Sequence, residues 1–369
     1  MKKKLFILSA SALGVGAAAL GAYRATHPGD ARGLDTGIGT DAGDGRRRPP
    51  VDDALLDLPD GLVHHLLDTD DGGTVHAIEQ GEGRPLVLLH GITLRADVWA
   101  PQFHHLSDRY RVIAVDLRGH GRSIAGADGY GLPRLAADLA TVLVELDLRD
   151  AVVVGHSMGG MTAMQFCGDH PDVLAERVAG LVFLATRAHQ VMPPYVDRVA
   201  RALVARGQSR VDAGGALPAR ATVSSRIVRA AFGDRPSPKA IALVAEMGQS
   251  MAPEALLPSV AGLFDHDARQ TLGDTDTPSL VVVGTRDVLT PVPSSRHLAR
   301  LLPDSDFVVL SRAGHQLMQE RPDEVAELVD AFVARIEGSA ASVTEAVATD
   351  PRPVEPEQVE HSPAPVERS

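Results

Sequence analysis

Six short apolar runs punctuate the centre of the chain: Leu86–Leu89, Arg111–Val115, Ala151–Val154, Gly180–Leu184, Leu280–Val283 and Phe307–Leu310. Their near-continuous apolar character, rather than an in–out alternation, predicts parallel strands buried on both faces. Helical periods separate them. Trp99, Phe103 and Leu106 share one face, as do Leu135, Leu139, Val142 and Leu146. A last helix is predicted to start at Pro322, present Val325, Val329, Phe332 and Ile336 to the core, and stop at Gly338. Alternating strands and helices define an α/β fold, a mostly parallel central sheet with helices on both faces. Residues 64–81 read as an antiparallel hairpin turning at Asp71-Gly72-Gly73. Between residues 187 and 271 the rhythm breaks: no strand pattern occurs, and Val196–Arg206 and Lys239–Met251 look helical. This stretch is expected to be an inserted helical cap over the carboxyl ends of the strands, where α/β sheets bind ligands.

The ends of the 369-residue chain differ in kind from its centre. Lys2-Lys3-Lys4 precedes an uncharged apolar segment, Leu5–Gly21. As a helix to Tyr23 it would span about 28 Å, enough for a bilayer core. Residues 1–25 are therefore expected to be a signal peptide, with Ala17 and Ala19 suited to cleavage, or an uncleaved anchor holding the domain to the outer face of the membrane. An apolar terminus of a cytoplasmic protein is the third reading. Residues 26–60 are expected to be a flexible linker, 61–186 and 272–337 the core, 187–271 the cap, and 338–369, rich in Pro, Glu, Ser and Ala, a disordered acidic tail.

Acids outnumber bases 48 to 36, and residues 49–337 alone hold 38 Asp/Glu against 26 Lys/Arg. That balance argues against nucleic acid as a partner. The single cysteine, Cys167, excludes an internal disulfide framework and any multi-cysteine metal site. Among the 15 histidines, the neighbouring pairs His64-His65 and His104-His105 diverge whether on a strand or a helix, so no metal site is expected.

Chemistry enters after the third run, at Gly155-His156-Ser157-Met158-Gly159-Gly160, followed by a helical Met161–Gln165. Gly-x-Ser-x-Gly between a strand and a helix is a sharp turn that exposes the serine oxygen, with glycines where side chains would collide. The helix starting there aims its amide end at a developing oxyanion. A serine nucleophile needs a base, and the base an orienting acid. Asp287 follows the strand at 280–283, and His315 follows the strand at 307–310. The order Ser157, Asp287, His315 is that of one serine-triad lineage and not of the others.

On these residues the chain resembles the α/β-hydrolase superfamily, in its serine esterase/lipase-like branch, over roughly residues 62–337. His90-Gly91-Ile92-Thr93 resembles the family's oxyanion loop, which implies the backbone N–H groups of Ile92 and Met158 as the two oxyanion donors. Asp116–Ser123 resembles the stretch after the family's next strand, and its charges are expected to tie down a loop. The resemblance implies no cofactor, a small-molecule ester substrate such as a monoacylglycerol or lysophospholipid, and a two-step acyl transfer through Ser157. Cofactor-free haloperoxidases and carbon–carbon bond hydrolases share the triad and stay open, as does a non-catalytic ligand-binding protein of the same fold. His156 and His120 are expected to serve structure rather than to act as base, Asp265 and Asp267 rank below Asp287 as the acid, and Cys167 and Met158, Met161 and Met164 are expected in the core.

Overall fold

The computed structural model describes residues 49–189, 194–214 and 225–338. The apolar segment 5–23, most of the expected linker and the acidic tail lie outside the described residues. No helix among the described residues is long and apolar enough to cross a membrane.

One eight-stranded sheet organises the domain, in the order β1-β2-β4-β3-β5-β6-β7-β8. The strands are β1 (Val63–Asp68), β2 (Thr74–Gln80), β3 (Arg84–Leu89), β4 (Tyr110–Val115), β5 (Ala151–His156), β6 (Val178–Leu184), β7 (Ser279–Gly284) and β8 (Ser305–Leu310). β1 and β2 form the predicted hairpin, and β2 also pairs antiparallel with β4. From β4 to β8 every pairing is parallel. The unbroken apolar runs have a simple cause. Leu86, Leu88, Val152, Val154, Val182 and Leu280 face one buried layer, whereas Val87, Leu89, Val153, Leu181, Phe183 and Val281 face the other. Successive strand residues point to opposite faces, and here both faces are covered.

The first layer is closed by α1 (Ala100–Leu106) and α12 (Pro322–Ile336), which carry Phe103, Leu106, Val325, Val329 and Phe332. The second is closed by α2 (Leu132–Glu145), α3 (Met158–Asp169), α4 (Pro171–Arg177) and α10 (Val292–Leu301). A one-turn helix, α11 (Leu317–Glu320), precedes α12. The fold also begins earlier than residue 61. A 3-10 helix at Asp53–Leu56 buries Leu56 in the first layer, and Asp53 and Asp57 hold Lys239.

Five helices fill the inserted region: α5 (Pro194–Asp212), α6 (Ser225–Ala231), α7 (Pro238–Ser250), α8 (Pro253–Asp265) and α9 (Arg269–Gly273). They do not form one body. Ala200, Val204, Leu256, Leu257, Val260 and Phe264 of α5 and α8 make a separate apolar cluster. Val228, Phe232, Val244 and Met247, on and between α6 and α7, belong instead to the first core layer.

Candidate active site

Parallel strands deliver the loops after β3, β5, β6, β7 and β8 to one end of the sheet, and the predicted site residues gather there. Ser157 sits between β5 and α3 at φ 52° and ψ −114°, a conformation that costs a non-glycine residue about 1–3 kcal/mol. The surroundings fix it. Its N–H donates to the Leu184 carbonyl at 3.0 Å, and its own carbonyl accepts the Thr186 hydroxyl at 2.7 Å. A side chain on Gly159 would come within 2.2 Å of the Leu89 carbonyl oxygen, so glycine is obligatory there.

Asp287 and His315 meet as their strand-end positions predicted. Asp287 Oδ2 lies 2.9 Å from His315 Nδ1, with both side chains buried. The carboxylate also accepts the N–H groups of Leu289 and Thr290, each at 2.8 Å, and the Thr290 hydroxyl at 2.7 Å. Burial alone would raise the Asp287 pKa. The charge and hydrogen bond of His315, with the Thr290 donors, outweigh burial and hold it below the ordinary carboxylate value. An ionised Asp287 accepts Nδ1–H, which leaves His315 Nε2 as the proton acceptor.

The loop around His315 is anchored through several backbone groups. His315 N–H donates to the Ala231 carbonyl at 2.7 Å, and His156 Nε2–H donates to the His315 carbonyl at 2.9 Å. Glu320 accepts from Gly314 N–H at 3.1 Å, from Gln316 N–H at 3.2 Å, and from Gly233 N–H at 2.7 Å. Burial pushes the Glu320 carboxyl up to about 7 in spite of these donors. Burial likewise pushes His156 down to about 3, with the neighbouring His315 adding to it, so His156 stays neutral and braces rather than acts as a base.

On the facing side, the loop after β3 closes on the serine. A Cβ at Gly91 would stand 3.1 Å from Ser157 Cβ, so the backbone passes directly beside the turn. Two buried histidines set its orientation. The Leu117 N–H donates to His90 Nε2 at 3.0 Å, so His90 carries its proton on Nδ1 and gives it to the Gly91 carbonyl at 2.7 Å. By the same logic His120 Nε2 accepts the Thr93 N–H at 3.1 Å, and Nδ1–H donates to the Arg118 carbonyl at 3.1 Å. With Gly91 C=O and Thr93 N–H both engaged, the Ile92 N–H has no partner among the described residues. Met158 N–H, at the first position of α3, has no acceptor within its helix.

The remaining expectations sort cleanly. Asp116 accepts from His76 Nδ1 at 2.7 Å, Ala96 N–H at 2.7 Å and Arg122 N–H at 2.9 Å, which ties down its loop. Asp265 pairs with Arg201, and Asp267 with Arg269, away from His315. Cys167 is buried, its thiol pushed up to about 12 by desolvation, and Met158, Met161 and Met164 are core. No group of three potential metal ligands converges among the described residues. Thr290 and Glu320 escaped the sequence reading. Thr290 had a signal, an Asp followed three residues later by Thr, the spacing of a side-chain-capped turn; Glu320 had none.

Comparison with known proteins agrees with this geometry. Residues 84–322 match the family model described as the alpha/beta hydrolase fold. A pimeloyl-[acyl-carrier protein] methyl ester esterase of Aeromonas hydrophila is 32% identical over 268 residues, 69% of this chain and 96% of that protein. A non-heme chloroperoxidase of Kitasatospora aureofaciens is 30% identical over 67% of this chain and 90% of its own. Among solved structures, a malate-bound thermophilic esterase from Thermogutta terrifontis superposes with a TM-score of 0.64 at 28% identity, covering 75% of this chain and 99% of that one. Sheet order, turn geometry and the family match agree: the chain belongs to the α/β-hydrolase fold family.

Proposed function

We propose that the protein is a serine hydrolase that cleaves a carboxylic ester through an acyl-enzyme. The observation that carries this reading is the buried Asp287–His315 hydrogen bond at the same sheet end as the strained Ser157 turn. His315 Nε2 takes the Ser157 hydroxyl proton as Oγ attacks the ester carbonyl. The N–H groups of Ile92 and Met158 receive the oxyanion. His315 then protonates the departing alcohol, and a water activated by the same nitrogen releases the acid and restores Ser157. Preorganised amides supply much of the rate, and loss of one such donor costs on the order of 100-fold. The similarity to pimeloyl-[acyl-carrier protein] methyl ester esterases supports an ester substrate.

A fluorophosphonate probe tests the reading. Wild-type protein should be labelled, and Ser157→Ala should not; equal labelling of both, or none of the wild type, rejects it. The similarity to a non-heme chloroperoxidase supports a second reading on the same residues, peroxide-dependent halogenation. Halogenation of monochlorodimedone that needs acetate and hydrogen peroxide, and disappears in Ser157→Ala, would establish that second activity.

A further inference from the structure

Just past β6, Arg187 stands between the loops that carry Ser157 and Asp287, because β6 lies between β5 and β7 in the sheet. Its neighbour Thr186 bonds the Ser157 carbonyl and, through its own carbonyl, Ser295. Arg187 Nη1 donates to the Leu289 carbonyl at 3.3 Å, two residues from Asp287. Its Nε is buried with no partner, and Nη2 makes no hydrogen bond to a described residue. Arg187 forms no ion pair among the described residues, and residues 190–193 and 215–224 contain no Asp or Glu. Burial pushes the guanidinium down to about 10, with the charge of Asp287 opposing that shift.

His266 completes the cluster. Its ring is buried, neither nitrogen makes a close hydrogen bond among the described residues although the Arg187 backbone lies beside the ring, and burial followed by the charge of Arg187 pushes it down to about 4. The two segments are tied at the base of the cap, where Ala268 N–H donates to the Ala188 carbonyl at 2.8 Å and His189 bridges Asp267. A neutral imidazole carries one N–H, so Arg187 Nε and one ring nitrogen of His266 are the donors here that call for an acceptor from outside. A guanidinium edge with two free N–H donors matches a planar carboxylate. A phosphate dianion would leave excess charge against a single cation beside the Asp287 carboxylate. Across the site, Ile92 packs against both the sheet layer and the α5–α8 cluster.

We propose that Arg187, seconded by His266, is an anion subsite that takes a free carboxylate on the substrate. The protein would then prefer half-esters of dicarboxylic acids over neutral esters of equal length. The preference for half-esters rests on the ester-hydrolase reading, whereas carboxylate binding does not. The full chain is therefore tested in two arms. In the first, kcat/KM is compared for p-nitrophenyl hydrogen glutarate and p-nitrophenyl valerate. Wild type should favour the glutarate ester, and Arg187→Met should cut that ratio at least about ten-fold, with Arg187→Lys intermediate. In the second, monomethyl glutarate is titrated calorimetrically into Ser157→Ala, where saturable binding should weaken at least about ten-fold on adding Arg187→Met. An unchanged ester ratio together with unchanged binding overturns the subsite. Arg187-dependent binding in a protein that no fluorophosphonate labels keeps the subsite and rejects ester hydrolysis.

Discussion

Two arginines, Arg118, fully buried, and Arg187, partly exposed but with a buried Nε, stand in opposite circumstances. Arg118, on the loop after β4, has a side chain only 1% exposed and is saturated with acceptors. Asp71 takes two of its N–H groups at 2.6 and 2.9 Å, and Asp138 takes two at 2.9 and 2.8 Å. Burial alone would lower its pKa, but the bonds and charges of Asp138 and Asp71 reverse that and raise it. Among the described residues Arg187 has one carbonyl and no ion pair, and its pKa moves down. A buried cation with its own counter-ions fastens segments together: here the hairpin turn, the loop after β4 and helix α2. A buried cation without them weakens the free protein and is retained for something that arrives later.

The largest expected effect tests the first half of that contrast. Arg118→Met leaves Asp71 without a cation and Asp138 with Arg134 alone, and should cost about 3 kcal/mol in urea unfolding. A loss under about 1 kcal/mol would show that the pairs contribute nothing net, as exposed pairs often do. Next is Glu320, a carboxyl with amide donors but no cation bonded to it among the described residues. Its folded pKa, raised from 4.5 to about 7, means that ionisation is disfavoured in the fold. Its contribution to stability is therefore complete below about pH 4.5 and is lost as pH rises through about 7, by up to about 3 kcal/mol. Glu320→Gln should flatten the fall in unfolding free energy between pH 5 and pH 8. A wild-type curve that rises steadily over that range, with the same slope in the variant, would contradict it. The smallest effect belongs to Arg187→Met, which removes an unpaired buried charge. Its unfolding free energy in urea should stay within about 1 kcal/mol of wild type or increase. A loss on the scale of Arg118→Met would make Arg187 structural and erase the contrast.

The strands and the nucleophile turn were legible because their signals are local. A strand buried on both faces is apolar at every position, as Val152, Val153 and Val154 are, and a tight turn demands glycines at fixed offsets from Ser157. Asp287 and His315 were legible through position alone, one past each late strand. The strand order was not, since no local pattern records that β3 lies between β4 and β5. Nor was the division of the inserted region, because Val228 and Val244 are as apolar as Val260 yet pack on the sheet. The braces were hidden for the same reason. His90 and His120 engage backbone groups 27 residues away, and Glu320 reaches Gly233 over 87. Arg187 stands out only when the acceptors around it are counted.

The three-way grip of Glu320 has a consequence for protein engineering. Swapping the inserted helices between relatives is an obvious way to exchange substrate preference, and the α5–α8 pair, with its separate apolar cluster, invites that treatment. The boundary of such a graft matters. Ala231 and Gly233 supply two of the contacts that hold the His315 loop, and a side chain at Gly233 would press within 2.1 Å of the Arg312 carbonyl oxygen. A chimera cut at residues 187 and 271 would discard that seat along with the old specificity. A donor segment that ends before residue 225 and resumes after residue 250 would exchange the α5–α8 cluster and leave the seat intact.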